Sequence, residues 1–219
     1  MHERSEAVYQ TIKARAISYA FPPGKRILLG PLAEELGTSK HQVRETLIRL
    51  VSEGWVIQAP NKGFLAISLD AALLADYHDV NTSLLVLALH AAESGRTIRP
   101  NVLDRIEIII CKLSPFEGDA ESLATVIGNL FSAIAALGGN RVEMQLVESC
   151  NEHLYFAHTR GCQYLEGVTA ELVGLCELAL ARQFAGLRQA IVEYHTRRKR
   201  LPSSWIRILS AGNCTAYHE

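Results

Sequence analysis

The sequence predicts a mainly α-helical protein in two parts: a small N-terminal unit of three helices and a short hairpin, and a larger C-terminal unit built of helices alone. Three observations carry that expectation. Apolar residues recur with helical spacing along nearly the whole chain, the one alternating stretch lies between Trp55 and Ser68, and the turn-forming runs Phe21-Pro22-Pro23-Gly24 and Pro60-Asn61-Lys62-Gly63 fall inside the first unit.

Over residues 5 to 20, Val8, Ile12, Ala16 and Ile17 share one helix face, and the Pro-Pro-Gly run stops that helix. Leu32, Ala33 and Leu36 predict a short second helix closed by Gly37. Ser39 is placed to cap a third helix, with Gln42 three residues on as in a capping box, and Gly54 ends it. The period then changes. Trp55, Ile57 and Ala59 alternate with Val56 and Gln58, Pro60 to Gly63 forms a turn, and Phe64 to Ser68 makes a second strand. Three helices followed by a hairpin is the order of a winged helix-turn-helix, and we place this domain at residues 1–69, with the junction at Leu69-Asp70.

From Leu73 onward no strand pattern competes. The helical stripes are Leu73, Tyr77, Val80, Leu84, Leu87 and Ala91; Leu103, Ile106, Ile110 and Leu113; Leu123, Ile127, Leu130 and Ile134; Val142, Leu146, Cys150 and Leu154; Leu165, Val168, Leu172 and Leu175; and Leu187, Ile191 and Tyr194. Breaks are expected at Gly95, Ser114-Pro115, Gly138-Gly139-Asn140 and near Gly161. Residues 70–219 are therefore expected to form an all-α bundle of about six helices. The stretch from Leu201 to Glu219, with Pro202, Trp205 and Ile208, is compatible with a short extra helix or with docking on a partner subunit.

The 219 residues, 48% of them hydrophobic, suffice for a substantial core. The longest apolar run, around Leu84 to Leu89, is shorter than the roughly 20 residues of a membrane span, and the polar start Met1-His2-Glu3-Arg4 argues against a secretory leader. A cytoplasmic protein with no membrane partner is expected. Cys111, Cys150, Cys162, Cys176 and Cys214 are odd in number and scattered, which points to free thiols rather than a zinc site. Charge is unevenly divided: nine basic against six acidic residues up to Ser68 give +3, leaving −4 for the rest of a chain whose formal charge is −1. That asymmetry favours a polyanion partner for the N-terminal unit.

The third helix carries the chemistry. A helix needs one buried stripe, here Val43, Leu47 and Leu50, but burial does not ask for Lys40, His41 and Arg44 on the other side. In a helix-turn-helix the second helix of the motif enters the major groove and its N-terminal residues reach base edges. Ser39, Lys40, His41 and Arg44 are thus expected to face double-stranded DNA, with Arg44 able to fork onto guanine or grip phosphate. The wing tip Asn61-Lys62-Gly63 is expected on the DNA backbone or minor groove. The alternative for these charges is a solvated helix face.

The stretches "FPPGKRI", "LAEELGTSKHQVRETLIRLVSEGWV" and "NKGF" resemble the winged-helix domain of GntR-type bacterial transcription regulators. The helical remainder, through "ALGGN" at 136 to 140 and "ALARQFAGLRQAIVEYH" at 179 to 195, is similar to the effector domain of their FadR subfamily. The resemblance implies a homodimeric regulator, often a repressor, that binds a pseudo-palindromic operator and is modulated by a small-molecule effector. The family's Ser-Arg before the recognition helix is Ser39-Lys40 here, and an arginine of the second helix falls at Gly30.

Many members hold a metal through an Asp and a His four apart and two later His. Those positions are Gly128, Ser132, Val173 and His195 in this chain, so neither a metal nor another cofactor is expected. An arginine that accompanies carboxylate ligands falls at Asn81. The resemblance leaves Asn81, Asn129, Ser132, Tyr194 and His195 as a neutral polar lining for an uncharged or amphipathic effector; the alternatives are a sensor that no longer binds ligand, with His195 a core histidine, or a thiol/His enzyme. His153 and His158, five apart, suit joint metal coordination poorly. Cys150 with His153 lacks a third orienting group, so an enzyme is not expected. Arg197-Arg198-Lys199-Arg200 suits a helix C-terminus better than a second DNA contact.

Overall fold

The computed structural model describes residues 2–68, 70–95 and 100–200; the expectations placed on Leu201 to Glu219, Cys214 among them, lie outside the described residues. The chain divides into two compact units between Ala71 and Ala72.

In the first unit α1 (His2–Ile17), α2 (Leu29–Glu35) and α3 (Lys40–Ser52) surround a core of Val8, Ile12, Leu32, Val43, Leu47 and Trp55. Ser39 Oγ accepts from the Gln42 amide at 3.1 Å, so the expected cap forms. Its reciprocal half differs from a capping box. The Gln42 side-chain oxygen Oε1 accepts instead from the Thr38 hydroxyl at 2.7 Å. Gly37 (φ 58°) and Gly54 (φ 80°) supply the left-handed backbone that ends α2 and α3.

The wing has three strands, not two: β1 (Arg26–Ile27), β2 (Val56–Ala59) and β3 (Gly63–Ala66), antiparallel in the order β1-β3-β2. Two residues are too few to register as a strand by periodicity, so β1 is invisible in the sequence. In β2 the inward residue is Val56, while Ile57 is half exposed. Trp55 is buried before the strand begins, which displaces the alternation read from it.

Among the described residues the second unit has the expected six helices: α4 (Ala71–Glu93), α5 (Pro100–Leu113), α6 (Ala120–Leu137), α7 (Arg141–Tyr164), α8 (Val168–Leu180) and α9 (Phe184–Lys199). By length and composition α6 is apolar enough to cross a membrane, a stretch longer than the Leu84 to Leu89 run. Burial explains that composition: Ile127, Leu130, Phe131 and Ile134 are wholly enclosed, and small residues fill the rest of its face. Gly138 closes α6 where an added Cβ would lie 2.7 Å from the Ala88 backbone. The "ALGGN" run thus reflects close helix approach at Gly138, left-handed backbone at Gly139 (φ 69°), and an N-cap at Asn140, whose side chain accepts from the Val142 amide.

Three local expectations are corrected. On α4 the buried face is His78, Asn81, Leu85, Ala88, Leu89 and Ala92, whereas Val80 and Leu87 are about half exposed. α4 carries apolar residues on more than one face, and two of its inward residues are polar, so counting apolar matches selects the wrong stripe. On α7 the inward residues include Val147, Cys150, Asn151, Leu154 and His158, with Val142 and Leu146 outside. Gly161 breaks nothing: α7 runs through it to Tyr164, and the turn falls at Gly167 (φ 72°).

Candidate nucleic-acid interface and buried polar centre

β1, the start of α2, the N-terminal turns of α3 and the wing enclose a cleft of about 710 Å³. Its lining includes Arg26, Gly30, Lys40, Arg44, Asn61 and Gly63, and no carboxylate. Lys40 and Arg44 lie one turn apart and both are exposed. The Lys40 side chain runs over Gly30, whose added Cβ would stand 3.4 Å from Lys40 Cε. Asn61 (φ 62°) and Gly63 (φ 75°) hold the tight turn of the wing. α3 has no acidic residue in its first turn, so the positive end of its dipole is uncompensated on the cleft side.

Charge pairing separates structural from available cations. Lys13 reaches Glu53 at 3.1 Å, Arg15 donates to Glu35 at 2.9 Å, and Arg49 bonds Glu6 at 3.1 Å while stacking on Tyr9. Among the described residues, Arg26, Lys40, Arg44 and Lys62 form no such pair. His41 meets Glu45 at 3.2 Å, with both side chains exposed enough for water to weaken the contact. The structure therefore brings Lys40, Arg44, Asn61 and Gly63 to one cleft, with Ser39 capping the helix, His41 exposed beside them and Lys62 exposed at the wing tip. Arg26, passed over in the sequence, joins them because β1 was not foreseen.

The helical unit encloses a polar centre. Asn81 Nδ2 donates to Asn151 Oδ1 at 2.9 Å, and Asn151 Nδ2 donates to the Gly128 carbonyl at 3.0 Å and to Ser132 Oγ at 3.3 Å. His78 and His195 meet through their Nδ1 atoms at 2.9 Å, and Tyr194 Oη lies 3.2 Å from His158 Nδ1. Phe131 packs against His158, Tyr194 and His195. Arg198 is buried over the Tyr194 ring and donates to Glu171 at 2.9 Å. It is a core cation, neither a DNA contact nor a solvated charge. Asn129 stands apart from the other four expected lining residues, exposed on α6.

Burial first, and then the Arg198 charge, drives the His78 pKa down to about 3; His158 and His195 are likewise held well below the ordinary histidine range, chiefly by burial and then by His78. All three rings are neutral near pH 7. The Nδ1 contact between His78 and His195 takes a single proton, so one ring presents Nε2–H and the other a bare Nε2. Neither Nε2 has a described protein partner, and nor do His158 Nε2 and Asn81 Oδ1. Leaving such a group unpaired costs about 1–3 kcal/mol.

His195 is accompanied by two further histidines, His78 and His158, which converge on it from α4 and α7. His78 carried no signal because the apolar stripe chosen on α4 excluded it. The metal-binding positions of the resembled family do not fit an ion here: Gly128 and Val173 bring no donor, Ser132 is engaged by Asn151, and His195 Nδ1 by His78. Among the described residues no group of three or more His, Cys, Asp or Glu side chains is disposed to hold a metal. Burial pushes the Cys150 thiol up to about 11, which leaves it a poor nucleophile beside His153, itself stacked on Tyr77.

A winged helix carrying an unpaired basic cleft, joined to a helical bundle, defines a DNA-binding regulator. Residues 4–65 match the model of the bacterial regulatory proteins of the gntR family. The chain is 30% identical over 142 residues to the Nta operon transcriptional regulator of Aminobacter aminovorans, covering 65% of this chain and 67% of that one. It is 29% identical over 148 residues to the HTH-type transcriptional regulator McbR of Escherichia coli (strain K12), covering 67% and 64% respectively.

Among solved structures, E. coli McbR/YncC superposes with a TM-score of 0.66 at 20% identity, over 95% of this chain and 98% of the other. A putative transcriptional regulator GntR from Rhodococcus sp. RHA1 gives 0.72 at 15% identity, over 94% and 98%. These two likenesses bear on the fold. The chain belongs to the gntR family of bacterial regulatory proteins and is a DNA-binding transcription regulator, not an enzyme.

Proposed function

We propose that this regulator is a cytoplasmic homodimer of the FadR type that represses transcription from a pseudo-palindromic operator until a small uncharged metabolite enters the helical unit. Ser39, Lys40, His41 and Arg44 read the major groove, and Asn61, Lys62 and Gly63 hold the backbone beside it. The observation that carries this reading is the cleft in which Lys40 and Arg44, free of ion pairs, face the wing with no carboxylate among its lining residues.

Dimerisation through the helical unit is supported by α4. Leu73, Tyr77, Val80, Leu84, Leu87 and Ala91 alternate spacings of four and three, the seam spacing of a helix pair, and Val80 and Leu87 are 50% and 53% exposed. Val80 and Leu87, the exposed members of that stripe, therefore suit the same positions of a second copy. The effector is assigned to the polar centre of Asn81, Ser132, Tyr194 and His195, where the unpartnered Nε2 atoms and Asn81 Oδ1 offer donors and acceptors but no charge. Asn129 drops out of that set because it is exposed.

A second reading, a sensor that no longer binds ligand, draws support from the bonds these residues already make to Asn151, His78 and His158. A thermal-shift screen of neutral metabolites separates the two. Stabilisation that disappears in Ser132→Ala and His195→Gln supports effector sensing, and no shift from any compound favours the second reading.

A further inference from the structure

We propose that Arg26 is a phosphate-gripping residue of the DNA interface, acting from the sheet side of the cleft while α3 acts from the helix side. The inference rests on the DNA-binding reading of that cleft. Arg26 stands on the edge strand β1, paired with Leu65 of β3, and is exposed. Its guanidinium lies against the wing turn: a Cβ added to Gly63 would be 3.5 Å from Arg26 Nε and 3.6 Å from Nη2. The side chain is therefore packed along the turn rather than extended into open solvent. Yet it has no carboxylate partner among the described residues, unlike Arg15 and Arg49 of the same unit. The cleft it enters also takes in Lys40 and Arg44, and none of its lining residues is acidic.

Three cations converging without a counter-ion repel one another and are best neutralised by an anion from outside. A recognition helix that presents its N-terminal residues to base edges sets the flanking sheet against the backbone, where a guanidinium meets phosphate oxygens in a bidentate fork. Arg26 thus contributes affinity without sequence preference, in contrast to Arg44.

The test uses the full-length chain and fluorescence anisotropy on a mixed-sequence duplex over a salt series, with wild type, Arg26→Ala and Arg26→Lys. Each neutralised phosphate contributes about 0.9 to the slope of log K against log salt. Arg26→Ala is expected to bind more weakly and to lose about that much slope per subunit, while Arg26→Lys keeps the slope. An unchanged slope in Arg26→Ala, with wild type binding normally, overturns the assignment of Arg26 alone. Wild type without salt-dependent binding overturns the reading of the whole cleft.

Discussion

His78 Nδ1 and His195 Nδ1 approach to 2.9 Å and tie α4 to α9 across the core of the helical unit. The bond exists only while the two rings share a single proton, and burial resists a second. The folded chain therefore refuses protons that unfolded histidines accept below their ordinary pKa of 6.5. The sign follows: stability is fully present above that value and is lost as pH falls toward about 3, the pKa of folded His78. Each such histidine removes up to about 1.4 kcal/mol per pH unit in that window. Urea midpoints are expected to fall between about pH 7 and about pH 5 and to fall less steeply in His195→Gln. Equal midpoints, or an equal slope in the variant, would show that these rings are solvated.

Gly138, at the end of α6, packs directly against Ala88 of α4. A methyl group at Gly138 would meet the Ala88 Cα and carbonyl oxygen at 2.7 Å, and backbone cannot move aside as a side chain does. Gly138→Ala is expected to destabilise the chain by about 1–3 kcal/mol, the usual cost of overpacking. Denaturant titration checks it, and a neutral or stabilising change would mean that α4 is free to shift.

Val80 and Leu87, exposed on α4, set an expectation for assembly. Light scattering at micromolar concentration should return the dimer mass for the wild type and the monomer mass for Leu87→Glu, because a carboxylate in an apolar seam loses its hydration. A monomeric wild type, with and without DNA, would refute the seam.

Metal content follows from the donor set. Protein purified without chelator or affinity tag is expected to carry far less than one equivalent of zinc, nickel or manganese by elemental analysis. A near-stoichiometric metal that disappears in His195→Ala would mean that His78, His158 and His195 rearrange into a ligand set.

Legibility in the sequence followed physical locality. The Ser39 cap, the glycines at 37 and 54 and the break at Pro60 to Gly63 are decided within a few residues, and each appears where local chemistry places it. The six helices of the second unit were countable because their apolar spacing is long and sustained. What failed was tertiary choice. Which face of α4 turns inward depends on whether His78 and Asn81 find partners on α9 and α7, and no window on α4 contains His195 or Asn151. β1 exists only because β3 accepts it, and Arg26 was hidden with it. At the interface Lys40, Arg44 and Asn61 could be chosen from one helix and one turn, whereas the absence of carboxylates from the cleft lining is a property of β1, α2, α3, β2 and β3 together.

Operator DNA is expected to bind at the cleft between α3 and the wing. The most direct measurement is an anisotropy titration at fixed salt, on an operator recovered from a randomised duplex pool and on a mixed-sequence duplex, with Arg44→Ala and Lys62→Ala beside wild type. Arg44→Ala is expected to weaken operator binding by about 1–3 kcal/mol while changing mixed-sequence binding less, as a base-reading guanidinium requires. Lys62→Ala is expected to weaken both alike, as a phosphate contact does. Unchanged operator affinity in both variants would mean that DNA binds elsewhere than this cleft.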